Sequence, residues 1–130
     1  LLSVLDNFNG QVVFVTHINH PHEIDSINQA CFKRLHQHGY HLFNQSVLLR
    51  QVNDDADTLT RLSKRLFESH IQPYYLHALD KVQGAAHFDI DPQQACTIYQ
   101  QLQKKLPGYL VRKMVRENAG ELSKTPLHCV

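Results

Sequence analysis

The sequence predicts an α/β fold, a parallel sheet built from a β-α-β-α-β-α-β run. Two observations predict it. Runs rich in β-branched residues recur at intervals of about thirty residues, the spacing of right-handed strand–helix–strand crossovers. The stretches between them carry apolar residues at helical spacing. A third observation bears on size. The chain has 130 residues, enough for one core, while four strands are too few to close a (β/α) barrel. The sequence therefore describes either a small open domain or part of a larger barrel. It starts inside a helical pattern, which favours the second.

Each element follows from its local pattern. Residues 1–10 read as the end of a helix closed by a turn at Asn9-Gly10. Residues 11–16 (QVVFVT) are β-branched without polar alternation, the mark of a strand buried on both faces. Residues 17–21 (HINHP) form a polar strand exit. Over 23–38, Ile27, Ala30, Cys31 and Leu35 share a helical face, and Gly39 is a natural stop. Residues 40–49 make a second strand, interrupted by polar Asn44, Gln45 and Ser46. Asn53-Asp54-Asp55 offers caps for a helix over 57–69 with Leu59, Leu62, Leu66 and Phe67 inward. A third strand over 71–76 precedes a polar, glycine-containing loop at 81–88. Asp91-Pro92 opens a third helix, because proline suits the first helical position. That helix runs to Leu106 with Ala95, Ile98, Tyr99 and Leu102 inward, and Pro107-Gly108 ends it. Residues 109–115 give a fourth strand, and the tail from 116 to 130 has no periodicity.

Composition narrows the function classes. Lys and Arg total 13 against 12 Asp and Glu, a net charge of +1. A nucleic-acid or membrane-surface protein would carry a basic excess. Apolar residues make up 42%, so a core forms readily. No apolar run approaches the ~18 residues of a membrane span, and a cytoplasmic protein is expected. Ten histidines invite a metal or acid–base reading. Three cysteines, Cys31, Cys96 and Cys129, lack zinc or iron–sulfur spacing and read as reduced, mostly structural thiols. His17 and His20 lack the i, i+4 spacing of a zinc helix. His22, His36, His38, His41, His70 and His128 share no spacing and read as surface residues.

In parallel α/β folds, ligands sit at the carboxyl ends of the strands. Polar residues gather there: His17, Asn19 and His20 after the first strand, Asn44, Gln45 and Arg50 around the second. His77 and Asp80 follow the third, Arg116 and Glu117 the fourth, and Lys124 lies in the tail. Each also has a plain structural role open to it. The two histidines suit loop capping, Asn44 and Gln45 can satisfy nearby backbone, Asp80 suits a turn, and Lys124 suits a solvated surface.

Four segments together carry a resemblance: THINHP (16–21), NQSVLLRQVND (44–54), PYYLHALDKVQGAAHF (73–88) and GYLVRKMVRENAGELSKTPL (108–127). In this order they resemble the C-terminal half of the lysine 2,3-aminomutase family of radical S-adenosylmethionine (SAM) enzymes. The last two look closest to the branch that makes β-lysine for elongation factor P. The resemblance implies the C-terminal part of a partial (β/α) barrel over residues 1–130. It implies an isomerase that converts L-lysine to β-lysine, with pyridoxal phosphate (PLP), SAM and a [4Fe–4S] cluster. The family's CxxxCxxC cluster motif is not in this sequence and is expected upstream, so the chain reads as a fragment, inactive alone.

The resemblance also implies roles. Lys124, in Ser-Lys-Thr-Pro, matches the lysine that forms a Schiff base with PLP, for which a primary amine is the chemical requirement. Asp80 and Glu117 match the acidic residues that clamp the distal ammonium of the substrate. His17 and Gln45 match residues near SAM. His77 stands beside the PLP, where clostridial-type enzymes have tyrosine. L-lysine is the implied substrate, and elongation factor P with its lysyl ligase the implied functional partners, alongside a homo-oligomer. The sequence departs from the clostridial pattern at Asp55, where that pattern has a zinc-binding cysteine, and no metal site is expected. It departs again at Arg112, where proline is expected. The PLP-phosphate and substrate-carboxylate arginines are expected in the other half. A non-catalytic α/β binding module and a stand-alone PLP-binding domain are the alternative readings. A half-barrel is also expected to self-associate through its open edge.

Overall fold

The computed structural model describes residues 2–78, 90–116, 125–126 and 129. Its elements in chain order are α1 (Leu2–Asp6), β1 (Val13–His17), α2 (Ser26–Gln37), β2 (His41–Leu48), α3 (Ala56–Glu68), β3 (Gln72–Ala78), α4 (Pro92–Lys105), β4 (Lys113–Arg116) and β5 (Thr125–Pro126). Short 3-10 turns at Pro21–Glu23 and Gly108–Leu110 join them. The strands lie side by side in chain order. The pairings β1–β2, β2–β3 and β3–β4 are parallel, so the α/β class and the four parallel strands stand. The antiparallel strand β5 was not expected. Two residues, Thr-Pro, carry no alternation to announce it.

Helix starts follow from capping aspartates. Asp25 accepts from the Asn28 amide at 2.8 Å while Asn28 Oδ1 accepts from the Asp25 amide at 2.8 Å, a reciprocal box at the start of α2. Asp55 accepts from the Thr58 amide at 2.7 Å, and Asp91 accepts from the Gln93 amide at 3.1 Å. Each such cap contributes about 1 kcal/mol. Two helices then reverse through left-handed residues. Gly39 takes φ 83° after α2, as glycine does at no steric cost, and His70 takes φ 67° after α3.

The core lies on one side of the sheet. Leu59, Leu62 and Leu66 of α3 and Ala95, Ile98 and Leu102 of α4 pack with Leu42, Leu48, Leu76 and Met114 of the strands. Along β2 the faces alternate: Leu42, Asn44, Ser46 and Leu48 are buried beneath the helices, and Phe43, Gln45 and Val47 are only half-buried on the other face. Strand β3 changes phase midway. Asn44 pairs with Pro73 but Gln45 pairs with Tyr75, so Tyr74 is an extra residue in a bulge.

Several expectations fail for physical reasons. Strand β1 is not buried on both faces: Val13 is 51% and Val15 46% exposed. A β-branched run reports strand propensity, whereas burial of a second face needs a second layer. The face expected inward on the first helix is largely open, with Ile27 81% exposed, Ala30 and Cys31 exposed, and no fully buried residue in α2. Phe67 is exposed rather than inward. The first part of the expected fourth strand is a 3-10 turn, because Pro107-Gly108 imposes a tight reversal before Lys113 begins the ladder. His17 is the last residue of β1, not the first after it. The thiol reading is corrected too. Cys96 and Cys129 are joined by a disulfide across a sequence separation of 33, a contact made by tertiary packing and invisible to local spacing. Cys31 is an exposed free thiol, not a core one.

Arg112 is buried at 2% exposure. Its Nη1 donates to the Tyr75 carbonyl at 3.2 Å, and its own carbonyl accepts from the Tyr99 hydroxyl at 2.7 Å. Nε and Nη2 have no hydrogen-bond partner among the described residues. Burial pushes the guanidinium down to about 9.

Candidate functional site

A buried amide scaffold fixes the carboxyl ends of β1 and β2. Asn44 Oδ1 accepts from the Thr16 hydroxyl at 2.6 Å and the Ile18 amide at 2.9 Å. Its Nδ2 donates to the Ile18 carbonyl at 3.1 Å and to the Ser46 hydroxyl at 3.0 Å. Asn44 is fully buried, and its carboxamide thus fills its hydrogen-bonding capacity. The Ser46 hydroxyl also donates to the Ile18 carbonyl. One turn further, Asn53 Nδ2 donates to the carbonyls of Asn19 at 2.8 Å and Val47 at 2.9 Å, and Asn53 Oδ1 accepts from the Leu49 amide at 2.8 Å. Asn19 Oδ1 accepts from the Val47 amide at 2.9 Å. These bonds link β2 and the loop after it to the end of β1 and the loop that follows, in a low-dielectric setting, so each helps hold the strand ends in one arrangement.

The face of the sheet away from the described helices presents the candidate residues. Register sets His17 opposite Gln45, Gln45 opposite Tyr75, and Val47 opposite His77. His77 Nε2 lies 3.2 Å from Gln45 Oε1. A carboxamide oxygen only accepts, so His77 donates through Nε2. Around this pair runs an aromatic row. Tyr75 and His77 have ring centroids 5.9 Å apart, Tyr74 and Tyr75 4.3 Å, and Phe43 and Tyr74 5.7 Å. Lys113 Nζ stands 5.3 Å over the Tyr74 ring. A hydrogen bond with Tyr74 holds the Tyr75 phenol above its ordinary value, with desolvation adding to it. The face thus offers a donor–acceptor pair flanked by flat apolar surfaces, a setting suited to a planar, partly polar ligand.

Of the residues expected at the strand ends, Gln45 and His77 are in contact and His17 shares their sheet face. Asn44 instead serves the backbone, the plainer of its two readings. His20 caps the 3-10 turn, accepting from the His22 amide at 3.1 Å through Nδ1. Asp80, Glu117 and Lys124 lie outside the described residues. Their nearest described neighbours are Ala78, at the end of β3, and the rung that pairs Arg116 with Thr125. Tyr74, Tyr75 and Lys113 were missed. The signal was present in PYY: a tyrosine pair in a strand that must change phase to bury both Ile71 and Leu76. Among the described residues, no group of three or more His, Cys, Asp or Glu is placed to hold a metal ion. No described helix is long and apolar enough to cross a membrane.

No family model matches the chain. Individual proteins do. It is 51% identical over 117 residues to an L-lysine 2,3-aminomutase of Escherichia coli strain K12, covering 90% of the chain and 34% of that protein. It is 56% identical over 115 residues to an L-lysine 2,3-aminomutase of Haemophilus influenzae, covering 88% of the chain and 34% of that protein. The protein of that name from Clostridium subterminale is 35% identical over 112 residues, with 86% of the chain and 27% of the relative covered. The chain therefore spans about a third of the length of the relatives it matches. Over nine-tenths of its residues the chain is therefore about half identical to a segment of these proteins named L-lysine 2,3-aminomutase.

Proposed function

We propose that this chain forms part of an enzyme that converts L-lysine to β-lysine by radical 1,2-amino migration, supplying β-lysine for modification of elongation factor P. The similarity to proteins named L-lysine 2,3-aminomutase carries the reading. The hydrogen-bonded Gln45–His77 pair at the strand ends supports it, because imidazole and carboxamide groups on an aromatic face fit both a pyridine ring and an adenosyl group.

In this reading the chain binds and orients. Lys124 offers a primary amine to the aldehyde of PLP. Asp80 and Glu117 hold the distal ammonium of lysine, two charge-assisted acceptors that fix the length of an acceptable substrate. His17 and Gln45 line the SAM side, and His77 orients the PLP side. PLP supplies a conjugated ring able to spread an unpaired electron, while SAM and a [4Fe–4S] cluster supply the initiating radical. In this reading the cluster cysteines belong to sequence outside this chain.

The test compares this chain with the complete reading frame that contains it, under anaerobic reducing conditions with PLP, SAM and lysine. The complete protein should form β-lysine and this chain alone should not. In the complete protein, Lys124→Ala should abolish β-lysine formation. Turnover by the 130-residue chain, or full activity in the alanine variant, would overturn the reading.

A further inference from the structure

We infer that Cys96 and Cys129 form a redox-controlled tether, a thiol-modification site whose reactant is a low-molecular-weight disulfide. Cys96 sits in the first half of α4, a helix fixed to the core by Ala95, Ile98 and Leu102. Cys129 lies three residues after β5. The two are joined, with Cα atoms 5.3 Å apart, a separation that needs no backbone displacement to bridge. Both cysteines are only half-buried, within reach of solvent reductants and oxidants.

The tether lies close to a short strand pairing. Strand β5 has two residues and two rungs to β4, Val115–Pro126 and Arg116–Thr125. Such a short pairing is marginal by itself. Opening the bond removes the covalent link that the described residues show between Cys129 and α4, and leaves the two described rungs between β5 and β4. Lys124 immediately precedes β5, so the redox state governs how firmly the backbone beside that lysine is held. This last consequence rests on the assignment of Lys124 to PLP. The tether itself does not.

The chemistry balances with glutathione disulfide as reactant. One cysteine thiolate attacks a sulfur of glutathione disulfide, forming a mixed disulfide and releasing one glutathione. The other cysteine thiolate then displaces the second glutathione. One S–S bond breaks and one forms. Two protein thiols are oxidised, glutathione disulfide is reduced to two thiols, and the two thiol protons pass to the released thiolates.

The experiment equilibrates the 130-residue chain in glutathione buffers from reduced to oxidised, blocks thiols with a maleimide after denaturation, and maps the peptides by mass spectrometry. In oxidised buffer, maleimide should mark Cys31 alone, with one cross-linked peptide pairing Cys96 and Cys129. In reduced buffer all three cysteines should be marked. Without PLP, tryptic cleavage after Lys124 should accelerate about tenfold on reduction, since proteolysis follows local opening. Cys96→Ser should give the fast rate in both buffers. Maleimide on all three cysteines in every buffer, a cross-link that includes Cys31, or a cleavage rate indifferent to reduction would overturn the tether. Borohydride trapping of PLP on Lys124, run in parallel, separates the two readings. More adduct in oxidised than in reduced buffer is expected. No adduct in either buffer refutes the lysine assignment and leaves the thiol mapping to decide the tether.

Discussion

Replacing Arg112 by methionine should stabilise the protein. Burial holds the guanidinium well below its ordinary value, at about 9. A drop of that size corresponds to roughly 5 kcal/mol by which the folded state disfavours the charged form. Methionine recovers that cost and fills similar volume with apolar atoms. It forfeits the bond from Nη1 to the Tyr75 carbonyl, about 1 kcal/mol, and leaves that carbonyl to find another donor. Exchanges of buried charge for apolar side chains typically gain about 1–4 kcal/mol, and the upper half of that range is expected here, because two of the three donor nitrogens have no described partner. The assay is urea denaturation of both forms at neutral pH, followed by circular dichroism. The pH dependence has a definite sign. The folded arginine releases its proton at lower pH than the unfolded one, so the unfolded state binds more protons above about 9. The cost of Arg112 therefore shrinks as pH climbs beyond that point. The advantage of the methionine variant should be full at pH 7 and narrow above 9. A variant less stable than the parent at neutral pH, or an advantage that stays constant into alkali, would refute the argument.

Further outcomes follow from the geometry. Asn44→Ala should cost about 2–4 kcal/mol in urea denaturation, because it strands the buried Ile18 amide and empties a fully buried, fully bonded site; a cost under 0.5 kcal/mol would show that the scaffold is dispensable. His70→Gly should stabilise by about 0.5–1 kcal/mol, relieving the left-handed backbone at φ 67°. That gain is tempered by loss of the His36 ring stacked at 4.3 Å, and a lower melting temperature would refute it. The chain should associate in solution, because among the described residues β1 has one unpaired edge and exposes Val13 and Val15. Light scattering that finds only a compact monomer at high concentration would count against this.

The fold was legible wherever local pattern and burial agree. The leucines at 59, 62 and 66 announced α3 because they are the same residues that reach the core. Asp55 and Asp91 marked helix starts through chemistry confined to one turn, whereas the cap at Asp25 lay inside a stretch read as helix from residue 23. What was illegible depends on partners distant in sequence. No local pattern distinguishes Ile27, left in solvent, from Leu62, fully buried. The Cys96–Cys129 bond and the pairing of β5 with β4 join residues that no periodicity links. In the candidate site, His17, Gln45 and His77 stand on one sheet face, where the sequence pattern of polar residues at parallel strand ends pointed. Tyr75 and Lys113 were missed because their place on the open face depends on register, which the bulge alters.

The extra residue at Tyr74 has a consequence for insertions and deletions. In a regular strand, losing one residue turns every later side chain over, burying what was exposed. In β3 that exchange of faces has already been absorbed at the bulge: Pro73 and Leu76 are both buried under the helices although they are three apart. Excising Tyr74 alone would leave Gln45 opposite Tyr75 and Val47 opposite His77, and the strand would become regular with its polar side chains still outward. The same excision inside β2 would put Gln45 under α3 and throw Leu48 into the open. Among the described strands, this is a position where the chain can lose a residue and keep Gln45, Tyr75 and His77 on their shared face, although the Tyr74 ring and its contacts with Phe43 and Lys113 go with it.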